Sequence, residues 1–381
     1  MTTIKDVAKL AGVGLGTASR AISGRGSVAP ATRTRVEAAA QALGFSVRRR
    51  AGDRVVAADD AIGIYVPSLT GNFYGPMMQS VDTEVRAVGC HLIVTSGPGA
   101  GPDVGDDRQQ ALRGIEFLIR RRCAGIVVAA PALLDADVVA LQRRFAPIVF
   151  INRNAAGDAR HCFAIDHELG GRLAARALID RGHRRVACIA GPVDAPDNAL
   201  RMAGFLAELA DHGVQVPLRL RATGDFTFAG GSAATRALLE QAPGGYTALF
   251  CANDVMAMAA ISRLARANLS VPDDVSVLGF DDNDLATYTS PQLTTVRIPV
   301  EHMAANACRF LLNECYGLSQ PVAREFVPVV MWRQTVTRAR EASLALRPAL
   351  ASSACENGYG LPTPDHEAVA VRSRDNARVD R

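Results

Sequence analysis

Apolar side chains recur at helical spacing along the first 43 residues. Ile4, Val7, Ala8 and Ala11 form one stripe, which predicts a helix capped by Thr3, with Asp6 as the acidic partner of a capping box and Gly12 as the breaker. A second helix is predicted from Leu15 to Ile22, with Ala18 and Ile22 inward, followed by a Ser23-Gly24-Arg25-Gly26 loop. Pro30 opens a third helix that runs to Leu43, with Gly44 as its stop. Two short helices joined by a glycine-containing turn, then a packing helix, make a helix-turn-helix.

From Ala61 the pattern changes to apolar runs separated by amphipathic stretches. Ile62–Val66, His91–Val94, Gly125–Ala129 and Ile148–Ile151 read as buried parallel strands, with helices over Met77–Val88 and Arg108–Arg122 between them. The cycle repeats with strands at Val186–Ala190, Ala248–Cys251 and Val275–Gly279. Helices are predicted at Leu169–Asp180, Leu200–His212 and Val255–Ala267. Two such sets predict an α/β core of two doubly wound subdomains behind an all-α head, with ligands at the carboxyl ends of the strands, in the cleft between them.

Charge divides the chain in the same place. Ten Lys and Arg stand against three acids between Met1 and Arg54, a net +7, while the whole chain is +4, so everything after Arg54 is −3. A basic head on an acidic body is the footprint of nucleic-acid binding. At 381 residues with 49% hydrophobic content the chain can bury more than one core. No apolar run approaches the roughly 18 residues needed to span a bilayer, and the N-terminus lacks a signal-peptide core, so a cytoplasmic protein without membrane contact is expected. The eight cysteines include no C-x-x-C pair and mostly sit in apolar runs, as buried thiols do; the seven histidines show no metal spacing. No cofactor is expected, and no enzyme: there is no G-x-S-x-G and no H-E-x-x-H. The glycines at 12, 14 and 16 follow a helix instead of a strand, and those at 97, 99 and 101 lack the ending of a phosphate loop.

The run Thr3-Ile4-Lys5-Asp6-Val7-Ala8-Lys9-Leu10-Ala11-Gly12-Val13, followed by Thr17-Ala18-Ser19-Arg20, resembles the head of the LacI/GalR family of bacterial transcriptional regulators. Further on, Gly191-Pro192, Arg201-Met202-Ala203-Gly204-Phe205, Asn253-Asp254-Val255-Met256-Ala257, the stretch Val271 to Asp282 and Pro291-Gln292-Leu293-Thr294-Thr295-Val296 resemble that family's effector-binding core. Leu118–Ala124 and Phe150-Ile151-Asn152-Arg153 look closest to its galactose-repressor branch. The resemblance spans about Thr2 to Arg338. It implies a head over 1–46, a hinge over 47–60 and a periplasmic-binding-protein-like core over 61–340. The first subdomain would hold about 61–163 and 291–319, the second about 164–290 and 320–340. The stretch 341–381, with Pro348, Pro362 and Pro364 and no heptads, looks disordered.

The resemblance also implies which residues act. In the head, the second helix would enter the major groove. Leu15, Gly16 and Arg20 match the base-reading positions, with Arg20 suited to guanine and Leu15 to a thymine methyl, while Gly16 reads nothing. Thr17, Ser19 and Thr32 can bond phosphates, and Thr3 stands at the same face. Gly14 and Ala29 replace the usual side-chain caps, a loss of about 1 kcal/mol each. In the hinge, Arg54 stands where the family has a leucine wedge, beside the poor helix formers Gly52 and Asp53. Two readings stay open: a weak hinge helix that uses Val55 or a minor-groove arginine, or a solvated linker held near DNA by charge. In the core, Arg201, Asn253 and Asp281, each placed just past a strand, match effector contacts, and Phe226 matches a ring-stacking aromatic. Phe73 and Tyr74 sit at the first subdomain's cleft edge and Asn152 follows its fourth strand. A structural salt bridge is the alternative for Arg201 and Asp281, and plain core packing for Phe73 and Phe226. The partners implied are a palindromic double-stranded operator, a sugar or sugar-derivative effector and a second copy of the chain. A solute receptor without DNA function and a sugar-modifying enzyme are the rivals.

Overall fold

The computed structural model describes residues 3–23, 28–43, 60–69, 73–97, 107–145, 147–153 and 157–339. Gly44, the hinge up to Asp59 with Arg54 in it, and everything from Arg340 lie outside the described residues.

The head is three helices, α1 (Ile4–Ala11), α2 (Leu15–Ser23) and α3 (Pro30–Ala42). Asp6 accepts 2.8 Å hydrogen bonds from both the amide and the hydroxyl of Thr3, so the capping box is closed. Gly12 ends α1 in the left-handed region at φ 64°, which a side chain would resist. Val7, Ala8, Ala11, Ala18, Ala21, Val36 and Ala39 form the buried centre. Ala21 takes the inward place next to Ala18, and the Ile22 side chain lies outside the described ones. Small alanines let three short helices approach closely, at the cost of a small apolar area. The carbonyls of Gly14 and Ala29 accept the first helical bonds of α2 and α3. Both are therefore the N-cap positions, without a side-chain oxygen.

The first core subdomain is a five-stranded parallel sheet: β1 (Ala61–Val66), β2 (His91–Ser96), β3 (Gly125–Val128), β4 (Ile148–Ile151) and β5 (Cys162–Phe163), in the order β2-β1-β3-β4-β5. Alternate strand residues serve opposite layers. Ile62, Ile64 and Val66 pack in the layer of α4 (Tyr74–Ala87) and α11 (Val300–Tyr316). Tyr65, Ile126, Val128, Ile148 and Phe150 pack with α5 (Asp107–Arg120) and α6 (Asp135–Arg144). The His91 strand, expected to be buried, is only half covered, because it is the sheet's edge.

The second subdomain is a six-stranded sheet in the order β11-β10-β9-β8-β6-β7. Its strands are β6 (Val186–Ala190), β7 (Arg221–Thr223), β8 (Ala248–Cys251), β9 (Ser276–Asp281), β10 (Thr294–Arg297) and β11 (Val329–Met331), the last antiparallel. Helices α7 (His167–Ile179), α8 (Pro196–Asp211), α9 (Phe228–Gln241) and α10 (Asp254–Arg266) complete it. The chain crosses between subdomains three times: after β5, after β10 and after α11. The second crossing corrects the expected boundary at 291. Thr294–Arg297 still pairs with β9, so the strand belongs to the second sheet, and only α11 packs on the first.

The pattern passed over β5, β7, β10 and β11, strands of two to four residues that carry too few side chains for a period. It also passed over α6, α9 and α11. Among the described residues no helix is long and apolar enough to cross a membrane. The seven cysteines there carry free thiols, and Cys355 lies outside them.

Candidate functional site: the inter-subdomain cleft and the second head helix

Each sheet has a switch in strand order, between β1 and β3 in one and between β6 and β8 in the other. Loops diverge at such points and leave a crevice at the carboxyl ends of the strands. A cavity of about 200 Å³ lies there, between the subdomains. Phe73, Tyr74, Asn152, Arg201, Phe226, Asn253 and Asp281 all line it. Residues as far apart in sequence as Phe73 and Asp281 are thus brought together from both subdomains. Met77, Pro131, Asp197, Val255 and Asn283 also line it and were not singled out from sequence.

On the first subdomain Phe73 caps α4 and Tyr74 is its first residue, their rings edge to face at 5.1 Å. Burial and the nearby carboxylates of Asp197 and Asp281 push the Tyr74 phenol up, so it stays a neutral donor. Asn152 follows β4 in the left-handed region at φ 57°. On the second subdomain Arg201 is not past a strand, as expected; it sits inside α8, which Pro196 starts. Asn198, from the same helix, holds the loop after β6 through the amide and carbonyl of Gly191.

Arg201 is 2% exposed. Its Nη1 donates to the Ala252 carbonyl and its Nη2 to His167 Nδ1 at 3.3 Å, while the guanidinium lies 3.8 Å over the Phe280 ring. Its ion-pair partner is Asp197, at 3.7 Å and one helical turn away, and not Asp281. That i,i+4 spacing was the sequence signal that could have found Asp197. Asn253 caps α10, accepting from Met256 N and donating to the Phe226 carbonyl, so part of its donor and acceptor capacity serves the fold. Phe226, at φ 65°, packs its ring on Gly191, where a Cβ would stand 2.2 Å from the ring tip.

Asp281 ends β9 at φ 109°. Burial raises its carboxyl to about 7, with Arg201 opposing and Asp197 reinforcing the rise. Behind it Asp254, fully buried and pushed well up by burial, accepts from the Thr295 hydroxyl at 2.5 Å and from the Asn283 amide at 2.9 Å. Asp282 pairs with Arg297 at 2.7 Å and Arg333 at 2.6 Å. These bonds fix the loop that carries Asp281 and Asn283. Asn152, Phe226, Asp281 and Asp282 are four of six non-glycine residues with positive φ among the described ones, and strain of about 1–3 kcal/mol each persists only where surroundings hold it. The cleft therefore offers fixed acceptors, a buried cation and aromatic faces. No group of three or more metal-binding side chains is found among the described residues.

In the head, Leu15, at 46% exposure, Gly16, Ser19 and Arg20 lie on the outer face of α2. Arg20 Nε donates to the Gly16 carbonyl at 3.2 Å. Thr17 and Thr32 are half-buried near the starts of α2 and α3. The Thr3 hydroxyl is engaged by Asp6. Arg54 lies outside the described residues.

Residues 3–47 match the bacterial regulatory proteins of the lacI family, and residues 175–336 match the periplasmic binding protein-like domain. The HTH-type transcriptional regulator GalR of Escherichia coli strain K12 is 33% identical over 338 residues, 88% of this chain and 96% of that protein. A transcriptional regulator of the LacI family from Burkholderia phymatum shares 43% identity and a TM-score of 0.68, covering 73% of this chain and 99% of that one. The lac repressor dimer bound to operator and the anti-inducer ONPF is 26% identical with a TM-score of 0.64, over 88% and 99% of the two chains. With its helical head, its two parallel-sheet subdomains and this likeness over nearly its whole length, the chain belongs to the LacI family of bacterial transcriptional regulators.

Proposed function

We propose that the protein is a repressor that binds a palindromic operator as a homodimer and is controlled by a sugar or sugar derivative held between its subdomains. The observation that carries the effector half is the convergence of Asn152, Arg201, Phe226, Asn253 and Asp281 from both subdomains on one cavity. Arg201 and Asn253 supply donors, and ionised Asp281 accepts from a pair of hydroxyls. Phe226 and Phe73 offer rings to the apolar face of a sugar. A ligand that touches both subdomains favours one closure angle over another, and that preference is the signal.

The exposed face of α2 supports the DNA half. Arg20 pairs with guanine and Leu15 packs on a thymine methyl, while Thr17, Ser19 and Thr32 serve the phosphates; Thr3 serves the cap of α1 through Asp6, and Arg54 adds positive charge beside the head. One head is a small interface, so two heads on a two-fold axis are required for specificity. The protein acts without catalysis, and DNA binding places it in the cytoplasm, on the nucleoid when bound. The test is a protection footprint on the DNA flanking its own gene, with and without a panel of mono- and disaccharides. A two-fold-symmetric footprint that one sugar alters is expected. No footprint at low salt would overturn the DNA half, and a footprint that no sugar changes would overturn the effector half.

A further inference from the structure

Four side chains at one edge of the cleft form a closed ring. Arg201 Nη2 lies 3.3 Å from His167 Nδ1. His167 Nε2 lies 2.7 Å from Asn152 Oδ1, and Asn152 Nδ2 donates to Asp197 Oδ2 at 3.3 Å. Asp197 Oδ2 returns to Arg201 Nη2 at 3.7 Å. Three of the four belong to the second subdomain. Asn152 alone comes from the first, at the end of β4.

The direction of every bond follows from Arg201. A guanidinium only donates, so His167 Nδ1 accepts and the ring proton is on Nε2. His167 is 2% exposed, its ring stacked on Phe280. Burial and the neighbouring Arg201 charge lower it to about 3, so it is neutral, and Asp197 only partly opposes this. The Nε2 proton then points at the Asn152 carbonyl, and the Asn152 amide is turned to Asp197. The left-handed backbone at Asn152 leaves the two ends of its amide interchangeable; His167, which donates, and Asp197, which only accepts, fix the same orientation from opposite ends.

We propose that His167 and Asp197 are positioning residues which together orient Asn152 as a latch between the subdomains, closing this edge of the cleft. Effector-driven motion then occurs against this latch. The latch does not depend on which effector the cleft accepts.

Two experiments on the full-length protein test it. Nitrogen-15 NMR of labelled histidine is expected to show His167 as the Nε2–H tautomer, unchanged from pH 8 to pH 5. An Nδ1–H tautomer, or a titration in that interval, would overturn the proposal. The second uses spin labels on the exposed residues Arg143 and Arg219, one on each subdomain, with distances read in the absence of ligand. Asn152→Asp sets a carboxylate against Asp197 and is expected to shift and broaden the distance distribution, and adding Asp197→Asn, which lets residue 197 donate instead, is expected to restore it. An unchanged distribution in Asn152→Asp, with the fold intact by circular dichroism, would overturn the latch, as would failure of the double variant to restore it. If no sugar affects any footprint while the tautomer and the distances behave as expected, only the effector reading falls.

Discussion

Replacing Gly171 by alanine couples the packing of the second subdomain to its binding site. Helices α7 and α8 meet through reciprocal glycines. A Cβ at Gly171 would stand 2.0 Å from the Arg201 carbonyl oxygen, and one at Gly204 would stand 2.0 Å from that of Glu168. Both obstacles are backbone, so no side chain can swing away. Reaching even 3.0 Å requires the helices to part by about 1 Å. Overpacking of this kind costs roughly 1–3 kcal/mol, and a rigid obstacle puts Gly171→Ala near the top of that range. The helical preference of alanine over glycine returns about 0.5–1 kcal/mol. A net loss of about 2 kcal/mol lowers the melting temperature by roughly 4–8 °C. Gly75→Ala on α4, where no atom lies within 4 Å of a new Cβ, is the control and should be neutral or stabilising. Gly171→Ala with Gly204→Ala should cost less than the sum, since the first separation makes room for the second. Because the Arg201 carbonyl is the obstacle, the shift also drags its guanidinium from the Ala252 carbonyl and Phe280. Thermal unfolding by calorimetry reads the effect. A melting temperature within 1 °C of the parent would refute the reasoning.

Arg20→Ala should abolish preference for operator over scrambled DNA in a gel-shift titration, a loss of at least about tenfold, while the core stays dimeric; undiminished preference would remove Arg20 from the base-reading set. Asp281, with its folded value near 7 against roughly 4 unfolded, holds an extra proton in the folded state. Its contribution to stability is therefore full below about pH 4 and is lost as pH rises to about 7, and Asp281→Asn should remove that slope from denaturant titrations. Binding of a hydroxyl-rich effector should conversely weaken as pH falls below 7, and calorimetric titrations showing no such trend would mean that the ionised carboxylate is not the acceptor. Ala29→Asp supplies the missing cap of α3, worth about 1 kcal/mol, and should slow hydrogen exchange of the α3 amides roughly fivefold, whereas faster exchange would show that residue 29 is not the cap.

The head was legible in the sequence because its determinants are local. The Thr3–Asp6 box, the Gly12 stop and the alanine stripe lie within a few residues of what they act on, and so does the charge imbalance. The long strands were legible for the same reason, and the resemblance over most of the chain picked out residues that line one cavity. Short elements were not. Thr294–Arg297 became a strand of the second sheet through its pairing with β9, a contact no local period records.

Within the site, sequence determined which side chains could bind but not which of their atoms are already engaged. Tertiary structure decided that Arg201 pairs with Asp197 and His167 and not with Asp281, and that Asn253 caps a helix while it faces the cavity. It also decided that His167, unremarkable as a lone histidine, is buried, neutral and aimed at Asn152. The physical reason is range. Propensity, capping and amphipathic period act over a few residues, whereas hydrogen-bond partners and desolvation depend on which groups folding brings within about 3 Å, often from distant parts of the chain.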